Sequence, residues 1–320
     1  MQTQPEFLTL RQHMQSVIVG QLDLIDRILI GVLTGGHLLL EGPPGLAKTT
    51  AVKTLATGIH ARFQRVQFTP DLMPSDLTGS DIFDPKTSQF EFMSGPLFHE
   101  IILADEINRA PPKVQSALLE AMEEHQITVG GQTHTLPDLF IVIATQNPLE
   151  QAGTYPLPEA QLDRFLLHVL IDYPDKLEEL AILRRDRQTH FGEDSENLHT
   201  RLQPETVLQA RREVAEIHIE PPLEEYAVNL VNASRDLGPY IKEWADYIEF
   251  GASPRATLAL ARAASAYAYI QGRDYVIPDD MLAVAPDVLR HRILPSFTAR
   301  AKQLSSTDII NRLLEIIPIP

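Results

Sequence analysis

The sequence predicts an α/β domain built on a parallel sheet of five strands, followed by an all-helical domain. Short apolar runs alternate with helical patterns in the first half of the chain, at 37–41, 63–68, 101–104, 140–144 and 165–171. This alternation is typical of a parallel sheet covered on both faces. Beyond Pro204 the strand signals fade, and segments such as ATLALARAASAYAYI favour helix. We therefore expect a nucleotide-binding type of core over 1–190, a linker over 191–203 and a helical domain over 204–320.

The composition excludes several classes of protein. The chain has 320 residues, of which 44% are hydrophobic and 22% charged, as in an ordinary globular protein. Acidic residues number 43 against 27 Lys and Arg, so the net charge is −16. We therefore expect no nucleic-acid partner held by a general attraction to phosphates. Cysteine is absent, which excludes disulfides and is compatible with a reducing cytosol.

The N-terminal residues MQTQPEFLTL lack the basic and apolar layout of a signal peptide. The longest apolar region, Ile28 to Leu40, is interrupted by the polar and glycine residues TGGH. We accordingly expect a cytoplasmic protein without membrane insertion.

Two helices are predicted before the first strand, the second from about Gly20 to Leu33, where Gly35 and Gly36 would end it. The apolar run HLLLE then enters a glycine loop, and residues 49–58 are predicted to be helical. The first unit is therefore a strand, a loop and a helix.

The loop GPPGLAKTT nearly matches the phosphate-binding pattern G-x-x-x-x-G-K-[ST], with Ala47 in place of the second glycine. In such a loop, backbone N–H groups surround the β-phosphate, Lys48 contacts the β and γ oxygens, and the Thr49 hydroxyl binds magnesium. We expect Ala47 to have the negative φ of a helix start, where its methyl group costs little. Taken alone, the loop could also be a turn with a chance lysine. The candidate cofactor-binding residues are Gly42, Pro43, Pro44, Gly45, Leu46, Ala47, Lys48, Thr49 and Thr50.

The segment IILADEINRA predicts a buried strand that ends in two carboxylates. Ligands bind at the carboxyl edge of an open parallel sheet, so Asp105 is placed to hold Mg²⁺ and Glu106 to polarise the attacking water. Two acids after a strand are otherwise a solvated turn, but the preceding phosphate loop favours the catalytic interpretation. The strand FIVIATQNP ends in the same way at Gln146 and Asn147. Asn147 is either a ligand of the γ-phosphate or water, or a turn former before Pro148.

Two arginines stand near predicted helix ends, and the position of the second suggests an anion, although a lone arginine is usually a surface charge. Arg164 ends the helical segment EAQLDRF, and Arg255 follows Ser253 and Pro254, which resemble the cap and first residue of a helix. A cation in the first turn of a helix opposes the helix dipole, so Arg255 predicts a phosphate nearby.

Two inserts are predicted to be β-hairpins, near 77–97 and 126–136. The first has its turn near 84–88 and the second at Gly130 and Gly131. Each hairpin could also be an addition to the sheet without a function of its own. The 11 histidines show no metal-binding spacing, and none is assigned to a site.

These motifs resemble those of the MoxR-family AAA+ ATPases. The similarity is carried by EGPPGLAKT, LADEINRAPPKVQSALLEAMEE, ATQNP and GTYPLPEAQLDRF, and more weakly by GASPRA. It implies an AAA+ core and lid that bind ATP and Mg²⁺. It further implies these site residues: Gly42, Gly45, Lys48 and Thr49 in the Walker A loop, Asp105 and Glu106 as Walker B, Asn147 as first sensor, Arg164 as arginine finger, Arg255 as second sensor, and Val19, Gly20 and Gln21 near the adenine.

The resemblance also implies a role. Similar proteins are chaperone-like motors that form rings, expected here to be hexamers, with the two hairpins lining the central pore. Their clients often contain a von Willebrand factor A domain, and some help to insert a metal cofactor. Magnesium-chelatase ATPase subunits and McrB-like motors carry similar segments and stay open as alternatives. A nucleotide-binding scaffold without turnover is a third alternative, against which the intact Glu106 argues.

Overall fold

The structure is a computed structural model that describes residues 1–148, 153–190 and 201–320, without the side chains of 188–190. Most of the predicted linker over 191–203 therefore lies outside the described residues. A parallel five-stranded sheet occupies the first half and helices dominate the second. The predicted α/β class with a helical lid is thus confirmed.

Two helices precede the sheet, α1 (Gln4–Val17) and α2 (Leu22–Thr34). Gly35 ends α2 in the left-handed conformation, at φ 68°, which glycine adopts without a steric penalty. Residues 24–33 of α2 are all buried, as expected for a helix that is surrounded by protein on every side.

The remaining elements up to residue 190 are, in chain order, β1 (Leu38–Glu41), α3 (Lys48–Gly58), β2 (Phe63–Gln67), α4 (Pro74–Thr78), β3 (Gly79–Asp84), β4 (Gln89–Ser94), β5 (Ile101–Asp105), α5 (Pro112–Glu124), β6 (Gln126–Val129), β7 (Gln132–Thr135), β8 (Ile141–Gln146), α6 (Glu159–Leu162), β9 (Leu167–Leu170) and α7 (Lys176–His190). All five predicted sheet strands are present among them.

The sheet has the parallel order β2-β5-β8-β1-β9. Successive side chains point to opposite faces, so Leu38 and Leu40 of β1 pack with α1, α2 and α3, while Leu39 packs with α5. Both faces are covered, which explains why the central strands β1, β5 and β8 are almost entirely apolar, whereas the edge strand β2 carries polar and charged residues. Because β5, β8 and β1 are parallel neighbours in this order, their carboxyl ends meet at one edge of the sheet.

Both predicted hairpins are confirmed. Strands β3 and β4 pair antiparallel from Gly79 opposite Ser94 to Asp84 opposite Gln89. Strands β6 and β7 are joined by Gly130 and Gly131, whose positive φ values of 57° and 81° suit a tight hairpin turn.

The second half contains α8 (Pro204–Ala215), α9 (Pro221–Ala233), β10 (Ile248–Phe250), α10 (Pro254–Ile270), α11 (Pro278–Leu289), β11 (Leu294–Pro295), α12 (Phe297–Ala301) and α13 (Ser306–Ile316). The antiparallel pair β10–β11 is an addition to the predicted all-helical region. These strands are too short to show a two-residue period in the sequence. In the described ranges, no helix is both long and apolar enough to cross a bilayer.

The two halves share one hydrophobic core. Helix α2 packs against α8 and α10, and its buried residues belong to the same cluster as those of the lid helices. A largely buried ion pair joins α2 to α11, with 2.5 Å between Arg27 Nε and Asp287 Oδ2. The other oxygen of Asp287 accepts a hydrogen bond from Arg290 at 2.8 Å. One carboxylate therefore balances two cations between core and lid.

Removal of that carboxylate should destabilise the protein strongly. Asp287→Ala leaves Arg27 buried without its counter-charge, so we expect a loss of roughly 3–5 kcal/mol in the free energy of unfolding, measured with urea. The control is Glu315→Ala, which breaks a pair with Arg312 whose side chains are 63% and 42% exposed. A loss below about 1 kcal/mol is expected there. Equal losses would show that the buried pair contributes no more than the surface pair.

Candidate active site

A cavity of about 380 Å³ lies at the carboxyl edge of the sheet. Its walls are the loop over 44–50 and the ends of β2, β5 and β8. This volume is in the range of small-molecule sites. The cavity contains Lys48, Thr49, Asp105, Glu106 and Asn147, so the residues of three separate motifs meet in one place.

The loop approaches the cavity through two residues with positive φ, Gly45 at 85° and Ala47 at 55°. The prediction of a negative, helical φ for Ala47 is therefore wrong. The chain must still turn at this position before α3 begins at Lys48, and a left-handed residue makes that turn. Alternating backbone conformations of this kind direct successive N–H groups toward one point. An alanine there costs on the order of 1–2 kcal/mol relative to its preferred conformations.

Gly42 is required for a different reason. A Cβ at this position would lie 2.4 Å from the carbonyl oxygen of Ile171, which follows β9. The loop therefore begins in close contact with the neighbouring strand. The carbonyl of Gly42 also accepts a hydrogen bond from Lys48 Nζ at 2.6 Å. Burial lowers the pKa of Lys48, while the carboxylates of Asp105, Glu106 and Glu41 act in the opposite direction.

Asp105 is held by two residues that match no nucleotide-binding motif. Thr145 donates its hydroxyl proton to Oδ1 at 2.6 Å, and Arg65 Nη2 donates to Oδ2 at 2.5 Å. The same Thr145 oxygen accepts from the backbone N–H of Glu106 at 2.9 Å. Thr145 stands directly before Gln146 in ATQNP and Arg65 is a charge inside a predicted strand, so both signals were present in the sequence.

Glu106 has a strained backbone, with φ 57° in the left-handed region. Strain of this kind is frequent at functional sites. Its Oε2 accepts a hydrogen bond from Gln67 Nε2 at 2.6 Å and lies 3.1 Å from Arg109 Nε. The turn after β5 and the end of β2 thus hold the carboxylate in the cavity. Gln67 is a further site residue that the motif analysis missed, and its register opposite Asp105 explains its position.

The oxygen donors in the cavity fit Mg²⁺. The Thr49 hydroxyl and the Asp105 carboxylate are hard ligands, and both face the cavity. Among the described residues, no group of three or more His, Cys, Asp or Glu side chains could hold a metal ion. A metal held by few protein ligands is the usual arrangement for Mg²⁺ that is bound together with a nucleotide.

Val19, Gly20 and Gln21 do not line the cavity. Gln21 Nε2 donates to the carbonyl of Asp172 at 3.2 Å, and Asp172 follows the residue that packs on Gly42. This segment is therefore next to the start of the loop. Its contact with the adenine stays a prediction.

Arg164 and Arg255 lie outside this cavity. Both line a second cavity of about 330 Å³, between α5, α10 and the segment before β9. The predicted cap is confirmed, since the Ser253 hydroxyl accepts from the backbone N–H of Arg255 at 3.2 Å. The structure thus separates the two arginines from the Lys48 loop of their own chain.

Comparisons with known proteins agree with this geometry. The profile of the ATPase family associated with various cellular activities (AAA) matches residues 37–167, and an AAA lid domain profile matches 244–313. The chain is 44% identical over 312 residues to Chaperone MoxR1 of Mycobacterium tuberculosis, an alignment covering 96% of this chain and 81% of the relative. It is 30% identical over 329 residues to Protein MoxR of Methylorubrum extorquens, covering 97% and 94%.

The chain belongs to the MoxR family of AAA+ ATPases. A crystal structure of an ATPase candidate from Cytophaga hutchinsonii superimposes on this MoxR-family protein with a TM-score of 0.92 at 45% identity. The match covers 99% of this chain and 96% of that one. The predicted family and fold are thereby confirmed, and one of these relatives is named as a chaperone.

The positive φ of Ala47 predicts that its substitution by glycine does not lower the free energy of unfolding, whereas a helical φ would predict a loss. Glycine adopts the left-handed conformation without strain, so Ala47→Gly removes a cost of about 1–2 kcal/mol. Glycine also increases the conformational entropy of the unfolded chain, which offsets about 0.5–1 kcal/mol of this gain in stability. We expect the free energy of unfolding of the variant to lie between that of wild type and about 1.5 kcal/mol above it, measured by urea denaturation. Nucleotide affinity should change little, because the loop retains its N–H groups and Lys48. A clear loss of stability would instead indicate a helical φ at Ala47.

Proposed function

We propose that this MoxR-family protein hydrolyses ATP with Mg²⁺ in a ring of identical subunits and uses the cycle to remodel or assemble protein partners. The observation that carries the proposal is the meeting of Lys48, Thr49, Asp105 and Glu106 in one cavity. A phosphate-binding loop alone would support only nucleotide binding. The carboxylate of Glu106 in the same cavity supports turnover.

Each residue has a distinct role in the proposed reaction. The loop N–H groups and Lys48 bind the β- and γ-phosphates. Thr49 and Asp105 would hold Mg²⁺, which neutralises phosphate charge when it is bound. Glu106 accepts a proton from the attacking water, and Asn147 orients that water or the γ-phosphate. Gln67 keeps the Glu106 carboxylate in place through its 2.6 Å hydrogen bond.

A neighbouring subunit completes the site in this proposal. Charge develops on the γ-phosphate in the transition state, and an arginine is the usual residue that compensates it. Arg164 and Arg255 are the candidates, and both line a different cavity from Lys48 of their own chain. We infer that they serve the nucleotide of the adjoining subunit. A closed ring, with six subunits as the expected number, supplies one such interface for every site.

The partner is proposed to be a protein. A net charge of −16 disfavours nucleic acid, and the hairpin β3–β4 exposes apolar side chains such as Phe83 and Phe90, at 50% and 73%. Such a hairpin suits contact with a polypeptide. A von Willebrand factor A domain is the proposed client module, and help with metal-cofactor insertion is the proposed use in some complexes.

The first test concerns the base. Glu106→Gln keeps the side-chain shape and removes the proton acceptor, so ATP turnover should fall by roughly two to four orders of magnitude while ATP still binds. Lys48→Ala should lose binding itself, because it removes the loop cation that faces the β and γ oxygens. Turnover by phosphate release and affinity by calorimetry separate the two effects. Wild-type turnover in Glu106→Gln would rule out this role for Glu106.

The second test asks whether the adjoining subunit supplies the arginine. If the finger comes from an adjoining subunit, ATPase activity per subunit should rise with protein concentration as rings form. Arg164→Ala should bind ATP normally and hydrolyse it at least about a thousandfold more slowly. Both are measured by steady-state hydrolysis, with light scattering to follow assembly. Constant activity per subunit from dilute monomer to assembled ring would show that the site is complete within one chain.

A further inference from the structure

Glu123 connects the two arginines that face away from their own nucleotide site. It lies near the end of α5, and each of its carboxylate oxygens contacts a different arginine. Arg164 Nε is 3.0 Å from Oε2, and Arg255 Nη2 donates to Oε1 at 2.5 Å. Arg164 belongs to the core and Arg255 begins a lid helix. One carboxylate thus bridges residues that are 91 positions apart in the chain.

We propose that Glu123 is a positioning residue, which holds Arg164 and Arg255 as one unit directed at the nucleotide of the adjoining subunit. This inference rests on the proposed function, since it requires the two arginines to act across a ring interface. It adds a residue that matches no nucleotide-binding motif. It also states what makes the core arginine and the lid arginine act together.

The contacts fix Arg164 at two points of one helix face. Its Nη1 donates to the carbonyl of Leu119 at 2.5 Å, and Leu119 lies four residues before Glu123 on α5. Residues four apart are neighbours on a helix surface. A guanidinium held at two of its nitrogens has a defined plane, which a single contact would not provide. The direction in which Arg164 presents its remaining donors is therefore set by α5.

The contacts of Glu123 suit a residue that positions the two arginines better than one that blocks them from binding a phosphate. A carboxylate that blocks an arginine typically forms two parallel hydrogen bonds with it. Here each arginine gives Glu123 one nitrogen, and the two contacts use different oxygens. A guanidinium has five N–H donors, so both arginines keep donors for a phosphate. The cluster also keeps a positive balance, because one carboxylate is shared by two cations.

Stability does not explain these pairs. The side chains of Glu123, Arg164 and Arg255 are 34%, 31% and 52% exposed. Ion pairs this open to water contribute little to folding. A loss of activity after substitution of Glu123 would therefore not report a loss of structure. The adjacent Glu124 has no ion pair in the part of the chain that the structure describes, and it provides a matched control.

The first experiment compares Glu123→Gln with Glu124→Gln in the assembled protein. Glutamine keeps the size of the side chain and removes the charge that both arginines share. We expect kcat of Glu123→Gln to fall about tenfold to a hundredfold, because a misplacement of about 1 Å can cost a catalytic group up to about a hundredfold in rate, with KM for ATP within about twofold of wild type. Glu124→Gln should match wild type in both constants. Thermal melting should be the same for the two variants. Wild-type kcat in Glu123→Gln would overturn the inference.

The second experiment asks in which subunit Glu123 acts. Glu123→Gln subunits are co-expressed with Lys48→Ala subunits under two different affinity tags, and mixed assemblies are isolated on both tags. Lys48→Ala has no working nucleotide site but keeps its own Glu123, Arg164 and Arg255. A Lys48→Ala subunit should therefore restore hydrolysis at the intact nucleotide site of an adjoining Glu123→Gln subunit. We expect the ATPase activity of the mixed assemblies to exceed the summed activities of the two separate variants at least threefold.

An Arg164→Ala mixture with Lys48→Ala distinguishes this inference from the proposed function. If the Arg164 mixture regains activity and the Glu123 mixture does not, Glu123 serves the nucleotide site of its own subunit and not that of the adjoining one. The inference is then overturned and the proposed function stands. If the Arg164 mixture regains no activity, the arrangement across subunits is wrong and both proposals fail. Recovery in both mixtures supports both.

Discussion

The parallel order of the sheet is the constraint on which the rest of this structure depends. Strands β1, β5 and β8 run in the same direction beside one another, so everything that follows them emerges at one edge. The loop after β1, the two carboxylates after β5 and the amides after β8 therefore share a cavity. The apolar interior of the strands leaves no other place for polar side chains than these ends. Site and sheet are consequences of the same topology.

Two of the six described non-glycine residues with positive φ lie at this edge. Ala47 and Glu106 both have positive φ, and each stands where a strand or loop passes into a helical turn. The surrounding contacts maintain these conformations, because Glu106 is held through Thr145, Gln67 and Arg109. The resulting directions of N–H groups and carboxylate serve the phosphate site rather than the stability of the fold.

The lid takes part in the structure in two separate ways. Its buried side shares a hydrophobic core with α2 and is linked to it by Arg27 and Asp287, so the lid is part of the folded unit. Its open side presents Arg255 next to Arg164, where both contact Glu123. The first set of contacts is buried and stabilises. The second set is exposed to water, and it suits contact with another subunit.

The sequence by itself determined the parts of this protein that depend on local pattern. Apolar runs of four to seven residues identified the five strands, a glycine pair identified the second hairpin, and the motif spacing identified Lys48, Asp105 and Glu106. Local pattern suffices there because strand, turn and loop geometry are set by neighbours in the chain. The positive φ of Ala47, the β10–β11 pair and the contacts of Arg65, Gln67 and Glu123 were decided only in the tertiary structure. Each depends on groups that are distant in sequence, and the packing of the whole domain selects among the conformations that the local sequence allows.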